Sequence, residues 1–168
     1  MRFLFLTQYF PPEIGGAQVQ LAAIVRELLR RGHEVEVVTS MPNYPKGWVF
    51  DEYRGRLYAR EDWQGATVHR VWLHAAVGGG LNRLANYGSF ALTCLAGMAR
   101  CRRPDWIYVE SPSLLLGVPA RLFGLAWRRP FVFNVGDLWP DSIRQLGALS
   151  SRPALAALEL LEAWSYRQ

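Results

Sequence analysis

Arg2-Phe3-Leu4-Phe5-Leu6-Thr7-Gln8-Tyr9-Phe10-Pro11-Pro12-Glu13-Ile14-Gly15-Gly16-Ala17-Gln18 is the stretch that decides the fold of this 168-residue chain. Phe3 to Leu6 is an unbroken apolar run, the pattern of a strand buried on both faces of a parallel sheet. Pro11 and Pro12 forbid its continuation. Gly15-Gly16 offers backbone angles closed to other residues, and Ala17 to Arg30 reads as a helix. A buried strand, a Gly-Gly turn and a helix start aim free backbone N–H groups and the positive end of a helix dipole at the carboxyl edge of the sheet. Such a place suits a phosphate.

Working outward, Leu21, Ile24, Val25, Leu28 and Leu29 recur at helical spacing. Arg30-Arg31 and Gly32 suit the helix C-terminus and its cap. His33 to Thr39 is the second strand, which completes a βαβ start. Ser40 to Arg56, with Met41-Pro42-Asn43-Tyr44-Pro45-Lys46-Gly47-Trp48, is a long loop of the kind that carries function. Residues 56–73 flank Gln64-Gly65 and read as an added hairpin. Leu81 to Arg103 reads as a long helix, Trp106 to Glu110 as a strand and Leu114 to Arg128 as a helix. Phe131 to Val135 is the next strand, and Arg152 to Gln168 a last amphipathic helix. The fold class is α/β: a Rossmann-like, mostly parallel sheet with helices on both faces, in one domain over residues 1–168. Ligands of such folds bind beyond the carboxyl ends of the strands. Gln8 to Gly16, Ser40 to Asn43, Glu110 to Ser113 and Gly136 to Asp141 should therefore line one cleft.

Composition narrows the classes. With 51% hydrophobic and 20% charged residues the chain is globular. Its longest apolar stretch, Phe90 to Ala99, is interrupted by Thr93 and Gly97 and is shorter than the ~20 residues that span a bilayer. The start of the chain lacks a signal-peptide pattern, so a cytoplasmic location is expected. The formal charge of +5 and pI ≈ 9.6 admit a solvated surface or an anionic partner. Nucleic acid ranks last, because no nucleic-acid motif accompanies the basic residues. Cys94 and Cys101, seven apart on one predicted helix, would lie roughly 10 Å apart, too far for a disulfide.

Motif chemistry excludes several activities. Gly15-Gly16 is not G-x-G-x-x-G, and the second strand ends in Thr39-Ser40 without the acid that holds a ribose, which argues against a dinucleotide oxidoreductase. No P-loop, G-x-S-x-G elbow, H-E-x-x-H, Cys cluster or D-x-D occurs, so neither a cofactor nor a metal is expected. His33 and His69 read as structural, and His74 as a residue within reach of the cleft. Asp137 sits at a strand end, where a carboxylate serves acid/base work. Asp141 admits two readings, acid or helix cap. Trp139 is either a platform for a sugar face or one of 7 tryptophans in the core. The helix around Leu81 to Arg103 reads as packing on the sheet, or as resting on anionic lipid.

Tyr9-Phe10-Pro11-Pro12-Glu13-Ile14-Gly15-Gly16, Arg31-Gly32-His33-Glu34-Val35-Glu36-Val37-Val38, Pro42-Asn43-Tyr44-Pro45 and Asp137-Leu138-Trp139-Pro140-Asp141 together resemble the retaining GT-B glycosyltransferases of family four. The similarity points to the bacterial surface-polysaccharide, fucosamine-transferase-like branch. The resemblance implies a two-domain enzyme with Rossmann-like halves, of which this chain is the N-terminal, acceptor-side half. It implies that Gly15 and Gly16 approach the donor diphosphate. Glu13, Asn43, Tyr44, Trp139 and Asp141 then line the acceptor-side cleft, and Asp137 is the catalytic candidate. The partners implied are a nucleotide-sugar, a glycan or polyprenyl-linked acceptor, and an anionic membrane surface. A C-terminal donor-binding domain, carrying a pair of glutamates separated by seven residues and a basic residue, is expected to be missing, which would leave the chain inactive alone. The implied transfer is metal-free front-face attack with retention, the leaving phosphate helping to take the acceptor proton. One departure stands out: Gly136 occupies the position where many relatives have histidine. A second reading of the residues is a non-enzymatic Rossmann-like binding or membrane-associated module acting with a partner.

Overall fold

In the computed structural model, which describes residues 1–76, 81–111, 114–135, 159–160 and 162–164, six strands form one sheet in the order β3-β4-β2-β1-β5-β6. The strands are β1 (Arg2–Thr7), β2 (Glu34–Ser40), β3 (Tyr58–Trp63), β4 (Ala66–Val71), β5 (Trp106–Ser111) and β6 (Phe131–Val135). The helices are α1 (Gly16–Arg30), α2 (Leu81–Met98) and α3 (Gly117–Trp127). Only β3 runs antiparallel to its neighbour; the pairs β1–β2, β1–β5, β2–β4 and β5–β6 are parallel.

The apolar run of β1 is central because both of its faces need cover. Leu4 and Leu6 join Val38, Phe90, Cys94, Met98, Ile107, Val109 and Ala120 in a core under α2 and α3. Phe5 points the other way and meets Leu21 and Val25 of α1, with Val35, Val37 and Val68. Each such fully buried Leu, Val or Phe contributes roughly 1.5–3 kcal/mol of transfer free energy. Strand period two thus sorts β1 onto two cores.

Local chemistry sets the element ends. After α1, Gly32 takes φ +77°. Its N–H donates to the Leu29 carbonyl at 2.9 Å, and the His33 N–H to the Leu28 carbonyl at 3.1 Å. This paired closure satisfies carbonyls that the helix end leaves open. The hairpin read over residues 56–73 is present as β3 and β4, turned by Gln64 (φ 55°) and Gly65 (φ 97°). Two successive positive φ values match the right-handed twist of the strands. The α2 helix is shorter than the sequence pattern suggested. It stops at Met98 rather than Arg103, so Cys101 and Arg102 lie beyond it. The chain is drawn off the helical path by Glu36, whose carboxylate accepts the Arg102 N–H at 3.4 Å, and by the Arg2 carbonyl, which accepts from Asp105 N–H at 2.7 Å. Pro104 also disfavours helical geometry at Arg103. The two cysteines are free thiols. Part of the basic charge is internal bookkeeping: Arg102 pairs with Glu34 at 3.1 Å, Arg2 with Glu34 at 3.0 Å and Arg129 with Asp105 at 3.6 Å.

At Gly97, α2 lies close against the sheet. A Cβ there would sit 2.8 Å from Val38 Cγ1 and 3.1 Å from Val71 Cγ1, whereas a Cβ on Gly88 would meet nothing within 4 Å. Thermal or denaturant unfolding should therefore separate the two glycines of one helix. Gly97→Ala is expected to lose about 1–3 kcal/mol through overpacking. Gly88→Ala is expected to gain about 0.4–1 kcal/mol through reduced unfolded-state entropy.

Candidate functional site

Buried polar groups join the strand ends at the carboxyl edge. The Gln8 carbonyl, just past β1, accepts from Ser40 Oγ at 2.7 Å and Thr39 Oγ1 at 3.1 Å. Its Nε2 donates to Asn86 Oδ1 at 2.6 Å, and Asn86 Nδ2 donates to the His74 carbonyl at 2.8 Å. Gln8, Thr39, Ser40 and Asn86 are all buried, so each needs such a partner. This chain of bonds links β1, β2, the segment after β4 and the second turn of α2.

Glu13 is the knot of the edge. It is 2% exposed. Its Oε1 accepts the backbone N–H groups of Asn43 and Tyr44, both at 2.8 Å, and its Oε2 accepts that of Phe10 at 3.2 Å. Burial pushes the carboxyl up to about 7, against these three donors and the Arg70 charge, which pull it down. Arg70, fully buried on β4, donates Nε to Glu61 at 2.5 Å, Nη1 to the Ser40 carbonyl at 3.4 Å, and Nη2 to the Pro11 carbonyl. Its guanidinium also lies over the Tyr53 ring at 5.2 Å. One acid and one base thus tie the β1–α1 loop to the loop after β2.

Above this frame opens a cleft of about 310 Å³, with Tyr9, Asn43, Tyr44, Arg83, Asn86 and Tyr87 in its wall. The Tyr9 and Tyr44 rings are 5.5 Å apart. Arg83 Nε donates to Tyr87 Oη at 3.0 Å. Burial, then the neighbouring Tyr87, raises the Tyr9 phenol above its ordinary value, so it remains a neutral donor. Aromatic faces beside amide and guanidinium donors suit a hydroxylated ring with an anionic group.

Of the residues expected in the site, Asn43 and Tyr44 are in the cleft wall. Asn43 is buried, with Nδ2 donating to the Met41 carbonyl at 3.0 Å, while Tyr44 is exposed. Glu13 does not face the cleft as a ligand group; its oxygens are occupied by backbone N–H groups. Gly15 and Gly16 are not part of this wall. Nor do they use angles closed to other residues: Gly15 is extended (φ −173°, ψ 171°) and Gly16 begins α1. What they supply is absence of bulk. A Cβ on Gly15 would come 2.5 Å from Gln18 Oε1, and one on Gly16 would stand in open space. Among the described residues the helix start has no side-chain cap, and its first turn carries no acid, which leaves its N–H groups to other acceptors. Asp137, Trp139 and Asp141 lie outside the described residues. His33 stacks on Phe3 at 5.4 Å and His69 bonds Tyr58 and Glu36, as structural histidines do. The His74 side chain is exposed, and the backbone N–H of His74 donates to Ser89 Oγ at 2.8 Å. Sequence reasoning placed Gln8 and Tyr9 in a cleft-lining stretch without giving them a role, and missed Arg70, Arg83, Asn86 and Tyr87. A signal existed in α2: Arg83, Asn86 and Tyr87 share one face at i, i+3, i+4 near the start of a largely apolar helix.

Comparison with known proteins adds identity to this geometry. The family model described as "Glycosyl transferase 4-like domain" matches residues 15–168. A protein of Escherichia coli (strain K12) named as a colanic acid biosynthesis glycosyl transferase, WcaI, is 31% identical over 150 residues. That match covers 88% of this chain but only 37% of the relative's length. Among solved structures, the C-terminal domain of a hydrogenase from Pyrococcus furiosus is similar at TM-score 0.50 and 12% identity, covering 80% of this chain and 90% of that one. At this identity the likeness concerns the sheet-and-helix architecture alone.

The Glu13 knot has a defined pH signature. Its folded value near 7 lies above the ordinary 4.5, so the folded state holds the extra proton between those values. That contribution to stability is complete below about pH 4.5 and is lost as pH rises through about 7. Glu13→Gln keeps an acceptor for Asn43 and Tyr44 but sets an NH2 group against the Phe10 N–H. Denaturant titrations should find it about 1–3 kcal/mol less stable near pH 5, with the gap narrowing toward pH 8. A gap independent of pH would contradict this assignment.

Proposed function

This chain belongs to the glycosyl transferase 4-like family, and we propose that it forms the acceptor-side domain of a retaining glycosyltransferase. In this reading a sugar moves from a nucleotide-diphosphate donor to a glycan or polyprenyl-linked acceptor during cell-surface polysaccharide synthesis. The observation that carries the proposal is the family match over nearly the whole chain. The name of the similar Escherichia coli protein supports the polysaccharide context. A donor-binding domain, joined to or assembled with this one, supplies the other wall of the active site, and the chain alone is inactive.

The residues take roles that follow from their placement. The uncapped start of α1, with Gly15 and Gly16 free of side chains, receives the donor diphosphate on backbone N–H groups. Asn43 and Tyr44 form the acceptor side, joined by Tyr9, Arg83 and Tyr87. For Asp137, which the resemblance rather than its placement singles out, the role is to orient the acceptor hydroxyl or steady charge near the anomeric carbon, and Trp139 and Asp141 are assigned to the acceptor side on the same ground. The acceptor oxygen bonds to the anomeric carbon on the face the diphosphate leaves, and a phosphate oxygen takes the acceptor proton. Neither metal nor cofactor enters this scheme.

A membrane-facing position is favoured by a specific surface. Leu92 of α2 and Val118 and Leu122 of α3 are exposed, at 72%, 40% and 52%, along an apolar groove between the two helices. No described helix is long and apolar enough to cross a membrane. We place this face against the cytoplasmic surface of an anionic bilayer, where a polyprenyl-linked acceptor would reside.

Transfer assays on the polypeptide that includes the donor domain test the roles. Gly16→Val should keep the wild-type unfolding midpoint, because the added side chain enters open space. It should lower kcat/KM for the nucleotide-sugar roughly a hundredfold, or ~2.7 kcal/mol of transition-state stabilisation. Tyr44→Ala should raise the acceptor KM while leaving the donor KM unchanged. Wild-type turnover in both Gly16→Val and Asp137→Ala would overturn the site, and inversion of the anomeric centre in the product would overturn the mechanism.

A further inference from the structure

Below the end of α2, away from the cleft, three side chains with no motif between them converge. Glu36 of β2 and His69 of β4 lie on the sheet face that carries Val38, because Glu36 is two residues from Val38 and His69 is its register partner. Cys101 reaches the same spot from the segment that leaves α2. One ligand atom from each residue, the Glu36 carboxylate, the His69 imidazole and Cys101 Sγ, all lie within 4.8 Å of one another. Glu36 and His69 are 5% and 3% exposed.

We propose that Glu36, His69 and Cys101 bind one divalent transition metal ion of the zinc class, tying β2, β4 and the α2–β5 connection together. The donor set selects the metal: thiolate and imidazole favour zinc or its neighbours over magnesium or calcium, which prefer all-oxygen sites. One carboxylate and one thiolate neutralise a 2+ ion. Tetrahedral bonds of ~2.0–2.3 Å hold ligand atoms roughly 3.3–3.6 Å apart. His69 Nε2 and Glu36 Oε2 already stand at 3.2 Å. Cys101 Sγ is already drawn to the Glu36 carboxylate by a hydrogen bond; its other contact is the Gly97 carbonyl at 3.4 Å, and its backbone is past the helix end.

The surroundings orient the ligands as outer shells of metal sites do. Tyr58 Oη lies 2.9 Å from His69 Nδ1; when Nδ1 carries the proton, the Nε2 lone pair faces the ion. Arg102 Nε holds the other Glu36 oxygen, Oε1, at 3.3 Å, leaving Oε2 toward His69. The competing arrangement is a hydrogen-bonded tie in which Nε2–H donates to Glu36 and no ion enters.

Cobalt(II) distinguishes the two. The purified chain, stripped of metal with chelator, is titrated with Co²⁺ and followed by absorption. The site predicts tetrahedral d–d bands and a thiolate-to-cobalt charge-transfer band saturating at one ion per chain. Zn²⁺ should displace the cobalt and raise the unfolding midpoint. Cys101→Ser should abolish the charge-transfer band, Cys94→Ser should leave it intact, and His69→Gln should weaken cobalt binding at least tenfold. Absence of the band in the folded wild-type chain, or its survival in Cys101→Ser, would overturn the proposal and leave the hydrogen-bonded tie.

Discussion

The carboxyl edge of the sheet rests on one buried carboxylate. Glu13 accepts backbone N–H groups from Phe10, Asn43 and Tyr44, so the loop that opens α1 and the loop that follows β2 share an anchor. Arg70 completes it from β4 by donating to the Pro11 and Ser40 carbonyls. Neither group is cheap to bury, and a buried charge that loses its partner costs several kcal/mol. Holding two irregular segments in fixed relation needs satisfied backbone groups, and these two side chains satisfy them. The cleft wall at Asn43 and Tyr44 is therefore anchored through Glu13 to the β1–α1 loop.

The α2 helix changes character along its length, and this divides the labour of the domain. Its first turns present Arg83, Asn86 and Tyr87 to the cleft. One turn later Ala91, Leu92 and Leu95 face an apolar groove shared with α3. At its end Gly97 lets the helix settle onto Val38 and Val71. A polar cleft and an apolar surface thus adjoin on one helix, the arrangement that the proposed lipid-linked acceptor would require.

Much of the architecture was legible in the residues. The apolar run at Phe3 to Leu6 and the helical spacing of Leu21, Val25 and Leu28 required a parallel sheet. Gly32 and Gln64-Gly65 marked turns whose positive φ values the structure contains. The site was legible only in outline. Strand ends predict where loops gather, but Glu13 looked like a ligand group when it serves the backbone. Gly15 and Gly16 looked like conformational devices when they create space. Arg70 was invisible because strand alternation gives no hint that a cation will be buried to meet carbonyls far off in sequence. Glu36, His69 and Cys101 were likewise hidden, since only the fold brings them together.

Hydrogen exchange of the polypeptide that includes the donor domain, with and without saturating nucleotide-sugar, tests the central claim most directly. The account predicts slowed exchange at the amides of Gly16, Ala17 and Gln18, in the first turn of α1. Added acceptor should then protect the segment from Asn43 to Gly47. Saturated turnover with unchanged exchange at both places, or donor-dependent protection confined to the α2–α3 groove, would contradict it.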